Sequence, residues 1–195
     1  MISSPLGGTP TGLWHTQAKL PWEPKMHLCH CQLEQHGEAI RAIFNHAIAH
    51  TTALYEYQPR NKQQIRDWFG AKQQGSWPIL GAEDEQGQLL GFASLGPFRG
   101  YPANLYSVEH SVYVHPEHRG KGVARFLMQH LITQARERGM RTMVGAIDAG
   151  NQASIALHLK LGFKHSGTLP QVGYKFGRWL DLAFYQLMLP GPAEP

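Results

Sequence analysis

The chain has 195 residues, 42% hydrophobic and 10% aromatic, which suits one globular domain with its own core and excludes a disordered polypeptide. No apolar run reaches the length of a membrane span, so no membrane partner is expected. The formal net charge of +4 agrees with an anionic ligand, while the dispersal of the basic residues argues against nucleic acid.

Residues 1–25 are rich in turn formers (Ser3, Ser4, Pro5, Gly7, Gly8, Pro10, Gly12) and lack the pattern of a secretory signal. They read as a flexible extension, or as upstream sequence if Met26 is the true start. Trp14 and Trp22 are candidates to dock on the domain or on a partner. The domain is expected over 26–189, followed by a tail over 190–195. Residues 26–33 read as a strand on which Cys29 and Cys31 share one face and pack as small buried groups. Two cysteines give no disulfide framework, and a reducing cytoplasm is the simplest reading. His27, His30 and His36 lie close by, but no second ligand pair at zinc spacing appears, so no metal is expected.

Ala39, Ile40, Ile43, Phe44, Ala47 and Ile48 recur at helical spacing and predict a helix over 35–49. A more polar helix follows over 61–73, with Ile65, Trp68 and Phe69 as its apolar face. Strands at 78–80 and 89–95 flank the turn Glu85-Gln86-Gly87 and predict a hairpin. Residues 96–102 form an irregular loop, and a central strand covers about 105–114. A glycine-rich turn then opens into a helix reaching about residue 138, with Val123, Phe126, Leu127 and Leu131 on one face. A strand over 140–147 leads to a helix over 151–161, stopped by Gly162 at the position that favours glycine. Residues 163–168 are extended, and 180–189 close the sheet. This order gives an α/β domain with a mixed sheet, and sets the glycine-rich turn beyond the C-terminal end of a central strand, where open α/β sheets bind ligands.

That turn carries the chemistry. Strand, glycine-rich turn and helix N-terminus together make an anion site, because free backbone N–H groups and the helix dipole both favour negative charge. Gly120 and Gly122 let the backbone approach a phosphate, and Arg119, Lys121 and Arg125 add positive charge. A Walker A loop fails, because Gly120-Lys121 is followed by Gly122 and Val123 instead of Ser or Thr. A dinucleotide fingerprint fails at Arg125, where its third glycine belongs. The remaining pattern, Arg/Gln-x-x-Gly-x-Gly/Ala, is met by Arg119, Gly122 and Ala124 and resembles the coenzyme A loop of the GCN5-related N-acetyltransferases.

Four segments, at 108–114, 119–124, 146–163 and 170–181, together resemble the phosphinothricin/methionine sulfoximine branch of that family. The resemblance implies a single domain of α/β class, with a mixed, mostly antiparallel central sheet flanked by about four helices. It implies acetyl-CoA as co-substrate, a small-molecule amine as acceptor, and a homodimer. Val112, Tyr113 and Val114 would present backbone to the acetyl and pantetheine part. Backbone amides of Arg119, Gly120, Lys121, Gly122, Val123, Ala124 and Arg125 would hold the pyrophosphate, and Asn151 the pantetheine arm. Arg99, Gly100 and Tyr101, with Glu109, His110 and Ser111, would line the acceptor pocket. Glu109 is the expected base for the amine, Val114 N–H the expected oxyanion donor and His158 the expected acid for the leaving thiolate. The acceptor would be the α-amine of a small amino acid or analogue such as methionine sulfoximine, methionine sulfone or phosphinothricin. A polyamine, a protein N-terminus or a non-catalytic acyl-CoA-binding role are the alternatives.

Overall fold

In the computed structural model, which describes residues 25–194, the residues at helical spacing build α1 (Leu33–His50), α2 (Lys62–Gln74), α3 (Val123–Glu137) and α4 (Gln152–Lys160). The strands are β1 (His27–His30), β2 (Ile79–Glu83), β3 (Leu89–Pro97), β4 (Ser107–Val114), β5 (Thr142–Asp148), β6 (Lys164–Lys175) and β7 (Arg178–Met188). Apart from Lys25, the extension expected at 1–25, with Trp14 and Trp22, lies outside the described residues.

All seven strands join one sheet in the order β1-β2-β3-β4-β5-β7-β6. Only β4 and β5 run parallel; every other pair is antiparallel. Because side chains alternate across a strand, each strand feeds both faces. Ile79, Leu89 and Phe92 pack with Ile40, Ile43, Phe44, Ile65 and Phe69 of α1 and α2. Leu80, Ala93, Leu95, Val108 and Met143 pack on the other face with Val123, Leu127, Met128 and Leu131 of α3. The short polar helix α2 is closed by a capping box: Gln64 N–H donates to Asn61 Oδ1 at 2.9 Å, and Asn61 N–H to Gln64 Oε1 at 2.8 Å.

Three expectations change. The first strand is four residues long, because α1 already begins at Leu33. Cys29 and Cys31 share the face that covers Gly81, but they are half-buried, since β1 is a short edge strand. The extended segment expected over 163–168 is a twelve-residue strand, β6. Its alternation is broken by register shifts at His165/Gly167 and Leu169/Gly173, so the sequence pattern hides its second half.

Where α3 meets the sheet, β3 carries Gly91. A Cβ there would lie 2.7 Å from the Tyr113 carbonyl oxygen and 3.1 Å from Val123 Cγ1. Gly70, inside α2, has nothing within 4 Å of the same virtual atom. The two glycines therefore predict opposite outcomes. Gly91→Ala should lose about 1–3 kcal/mol through overpacking, whereas Gly70→Ala should gain ~0.5–1 kcal/mol from helix propensity. Urea midpoints with unchanged slope check both; a neutral Gly91→Ala would mean that α3 can shift on the sheet.

Candidate active site

The parallel pair β4–β5 is short. It holds through Ser107–Thr142, Val108–Met143 and Glu109–Val144, and then pairing stops. β5 stays bonded to β7 as far as Asp148, and β4 stays bonded to β3 as far as Val114. The next residue, His115, donates its N–H to Leu90 O at 2.9 Å, so odd-numbered residues of β4 turn their backbone towards β3. Val112 and Val114 therefore turn N–H and C=O towards β5, beyond the last β4–β5 pair. Buried strands seldom leave such groups without a partner.

A cavity of about 280 Å³ lies at this opening, with Glu109, Ser111, Val112, Ala146, Asn151 and His158 in its wall. A second, of about 490 Å³, shares Val112, Tyr113, Asp148 and Asn151 and reaches Val114, Arg119 and Gly150. The two join the strand opening to the glycine-rich turn. There Gly120 and Gly122 have φ of 74° and 82°, a region that favours glycine. Phe126 N–H donates to Gly122 O at 3.0 Å as the first bond of α3. The amides of Val123, Ala124 and Arg125 precede it and have no intrahelical acceptor. No side chain caps the helix and no acid stands in its first turn. The turn fits an anion, and Arg119, Lys121 and Arg125 strengthen its field.

Glu109 stands at the last β4–β5 pair, its carboxyl half-buried. Burial pushes its pKa up, and the charges of Lys72 and Arg99 pull it back. Ser111, on the same face, shares a 3.1 Å hydroxyl contact with Ser94. Asn151 is the N-cap of α4: its Oδ1 accepts from Ser154 N–H at 3.1 Å, which leaves its amide N–H groups for a ligand.

His110 lies on the opposite face of β4 and stacks on His158 of α4. His158 Nδ1 lies 2.7 Å from the Ser154 carbonyl oxygen, which can only accept, so Nδ1 carries the proton. His158 Nε2 is then an acceptor, and His110 Nε2, 3.1 Å away, must donate to it. His110 Nδ1 is left bare, buried and without a partner. Burial lowers both imidazoles, His110 to about 3, so this pair is neutral near pH 7. His158 thus has no free N–H for the cavity, which argues against the acid role that the resemblance implies.

Arg99, Gly100 and Tyr101 do not line either cavity and are exposed; Arg99 acts on Glu109 through its charge and stacks over Phe98. In their place the loop between α1 and α2 supplies Thr52, Ala53, Leu54 and Tyr55. Lys175 Nζ fastens this loop to the β6–β7 ribbon by donating to Thr51 O at 2.9 Å and Leu54 O at 2.6 Å. Thr52 Oγ1 donates to Asp148, and Tyr57 OH to the Tyr174 carbonyl. The Tyr55 hydroxyl is buried in the wall without a protein partner. This loop carries no periodic signal; the run of Thr51, Thr52, Tyr55 and Tyr57 in so short a stretch is the one hint.

Cys29, His36 and Glu83 come close enough together to suggest a cation site. The proton positions oppose it. Gln32 N–H donates to His36 Nδ1 at 2.9 Å, so the proton sits on Nε2 and is given to Glu83 Oε1 at 2.9 Å. A cation on Nε2 would break both bonds.

The model of the acetyltransferase (GNAT) family matches residues 33–163. The L-methionine sulfoximine/L-methionine sulfone acetyltransferase of Pseudomonas paraeruginosa is 49% identical over 150 residues, covering 77% of this chain and 87% of that protein. Among solved structures, yncA from Salmonella typhimurium, with its cofactor acetyl-CoA, is 44% identical with a TM-score of 0.83, covering 87% of this chain and 97% of that one. A phosphinothricin acetyltransferase from Sinorhizobium meliloti in complex with acetyl-CoA is 32% identical, also with a TM-score of 0.83, covering 87% and 92%. The fold, the opened strand pair and these likenesses agree: the chain belongs to the GNAT family of acetyltransferases.

Proposed function

We propose that this chain transfers the acetyl group of acetyl-CoA to the α-amine of a small amino acid or analogue of the methionine sulfoximine or phosphinothricin type. The observation that carries the reading is Glu109 at the point where β4 and β5 part, beside free backbone on one side and a small cavity on the other. The volume of about 280 Å³ suits an amino-acid-sized amine better than a protein N-terminus. The names of the relatives favour the same substrate class.

The residues divide the work as follows. The phosphates would rest on the amides that open α3, with the arm running along Val112–Val114 and against Asn151. Glu109 takes a proton from the ammonium group, directly or through water, so that the amine nitrogen can attack the thioester carbon. The C–N bond forms, the C–S bond breaks, and the thiolate leaves and takes up the second proton that the nitrogen sheds on becoming an amide. Val114 N–H faces the negative charge that develops on the acetyl oxygen. A thiol with an ordinary pKa of about 8.5 leaves as thiolate without an obligatory donor, so His158 serves by holding α4 against β4. The Tyr55 hydroxyl meets the acceptor, whose polar groups give it the partner it lacks in the protein. Arg99 draws the acceptor's carboxylate from outside the wall.

The protein works as a homodimer in a reducing cytoplasm. Leu169, Val172, Tyr174 and Trp179 are 49–60% exposed on the β6–β7 ribbon, and a second copy would cover them. The two cysteines are free thiols, as a reducing compartment keeps them.

Glu109→Gln should lower turnover by roughly a hundredfold or more while leaving acetyl-CoA affinity intact; unchanged turnover would remove Glu109 from the mechanism. Gly122→Asp sets a carboxylate on the amides that open α3, so acetyl-CoA affinity should collapse; at φ of 82° the side chain should also lower stability by about 1–2 kcal/mol, which leaves the protein folded. Unchanged affinity would put the phosphates elsewhere. A monomer mass by light scattering at working concentration would overturn the dimer.

A further inference from the structure

The carboxylate of Glu109 has a neighbour that the sequence does not advertise. Lys72 lies in the last turn of α2, 37 positions away in the chain. Its side chain passes Trp68, with Nζ 5.7 Å from the ring centre. The ammonium then donates to the Leu95 carbonyl at 2.5 Å. That bond fixes it over the next residue, Gly96, whose virtual Cβ would lie 3.2 Å from Nζ. Gly96 is the register partner of Glu109 across β3–β4, and directly opposed residues present their side chains on the same face, about 5 Å apart. The space left by the missing side chain of Gly96 is where the ammonium sits, beside Glu109. Any larger residue at 96 would push it away.

We propose that Lys72 is a positioning residue for the acetyl transfer, the cation whose field keeps Glu109 charged and able to accept the amine proton. The proposal rests on the reading of Glu109 as the base. A carboxyl half-buried beside a cavity tends to hold its proton, and a protonated Glu109 cannot accept another. An opposite charge nearby reverses that tendency. A contact ion pair would block the oxygen that must receive the proton. Lys72 avoids this because its hydrogen bond goes to the Leu95 carbonyl, so it supplies field without occupying the carboxylate.

The other groups that face Glu109 do not replace it. Arg99 also favours the charged form, but from an exposed loop where solvent screens it. Tyr113, four residues along on the same face, is buried with its phenol pushed up, and is neutral throughout the working range. Ser111 between them is neutral. Lys72 itself is drawn down to about 8 by burial, with Glu109 opposing that, so it is charged at neutral pH. Above pH 8 it loses its charge, and with it the field it lends to Glu109. The effect of Lys72 is read on the acid limb of the pH profile, where it is charged.

The test compares the pH dependence of kcat/KM for the full chain with Lys72→Met and Lys72→Arg. Loss of the cation should move the acid limb of the methionine variant upward by about one pH unit, with the plateau reached at higher pH. The arginine variant should keep the limb near its original place. A limb that stays put in a folded Lys72→Met protein, or that moves downward, overturns the proposal; Lys72→Gln serves if the methionine variant does not fold. The Glu109 carboxyl midpoint, followed by 13C NMR in the same variants, separates the two layers. An unmoved midpoint refutes the role of Lys72 whatever Glu109 does. A raised midpoint beside full turnover of Glu109→Gln upholds the coupling and refutes the base.

Discussion

The three-residue partnership of β4 and β5 is the constraint on which the site depends. Parallel strands in a sheet normally satisfy each other's backbone along their shared length. Here they part after Glu109 and Val144, and each keeps its outer partner, β3 or β7. The opening is thus held from both sides by continuous antiparallel ladders. It does not close, and the backbone of Val112 and Val114 stays available in a rigid frame. A ligand that lies in the gap with amide-like groups along its length can act as the strand that is missing.

The rest of the site is arranged around that gap. α3 leaves β4 through the turn at Gly120 and Gly122 and points its uncapped amides at the same end of the opening. α4 begins at Asn151 on the β5 side and is tied back to β4 by the His158–His110 bond. The loop at Thr52–Tyr55 covers the acceptor side, fastened by Lys175. The two faces of β4 have different duties. Glu109, Ser111 and Tyr113 look towards α1 and α2, while His110 faces α4. Acid–base chemistry belongs to the first face and support to the second, and the neutral tautomers of the histidine pair express that division.

Much of this is legible in the sequence, because it is local. The order of elements follows from apolar spacing, and the ends of α3 and α4 follow from Gly122 and Gly162. The anion site is visible in a single run, since strand, turn and helix are consecutive. What escapes is whatever is assembled from distant positions. The second half of β6 is hidden by register shifts, which spoil the period-two pattern. Lys72 meets Glu109 only because α2 packs over Gly96. His158 reads from sequence as a free imidazole and becomes a committed one once His110 and the Ser154 carbonyl are placed beside it. The Arg99 loop shows the converse: it is conspicuous in sequence, yet the structure leaves it exposed and gives the wall to Thr52–Tyr55.

The most direct measurement of the account is amide hydrogen exchange at β4 with and without acetyl-CoA. Without it, Val112 and Val114 should exchange fast, while Tyr113, bonded to β3, should be protected. With it, Val112 and Val114 should become protected and Tyr113 should not change. If acetyl-CoA binds and those two amides exchange as fast as before, the gap between β4 and β5 is not where the donor lies.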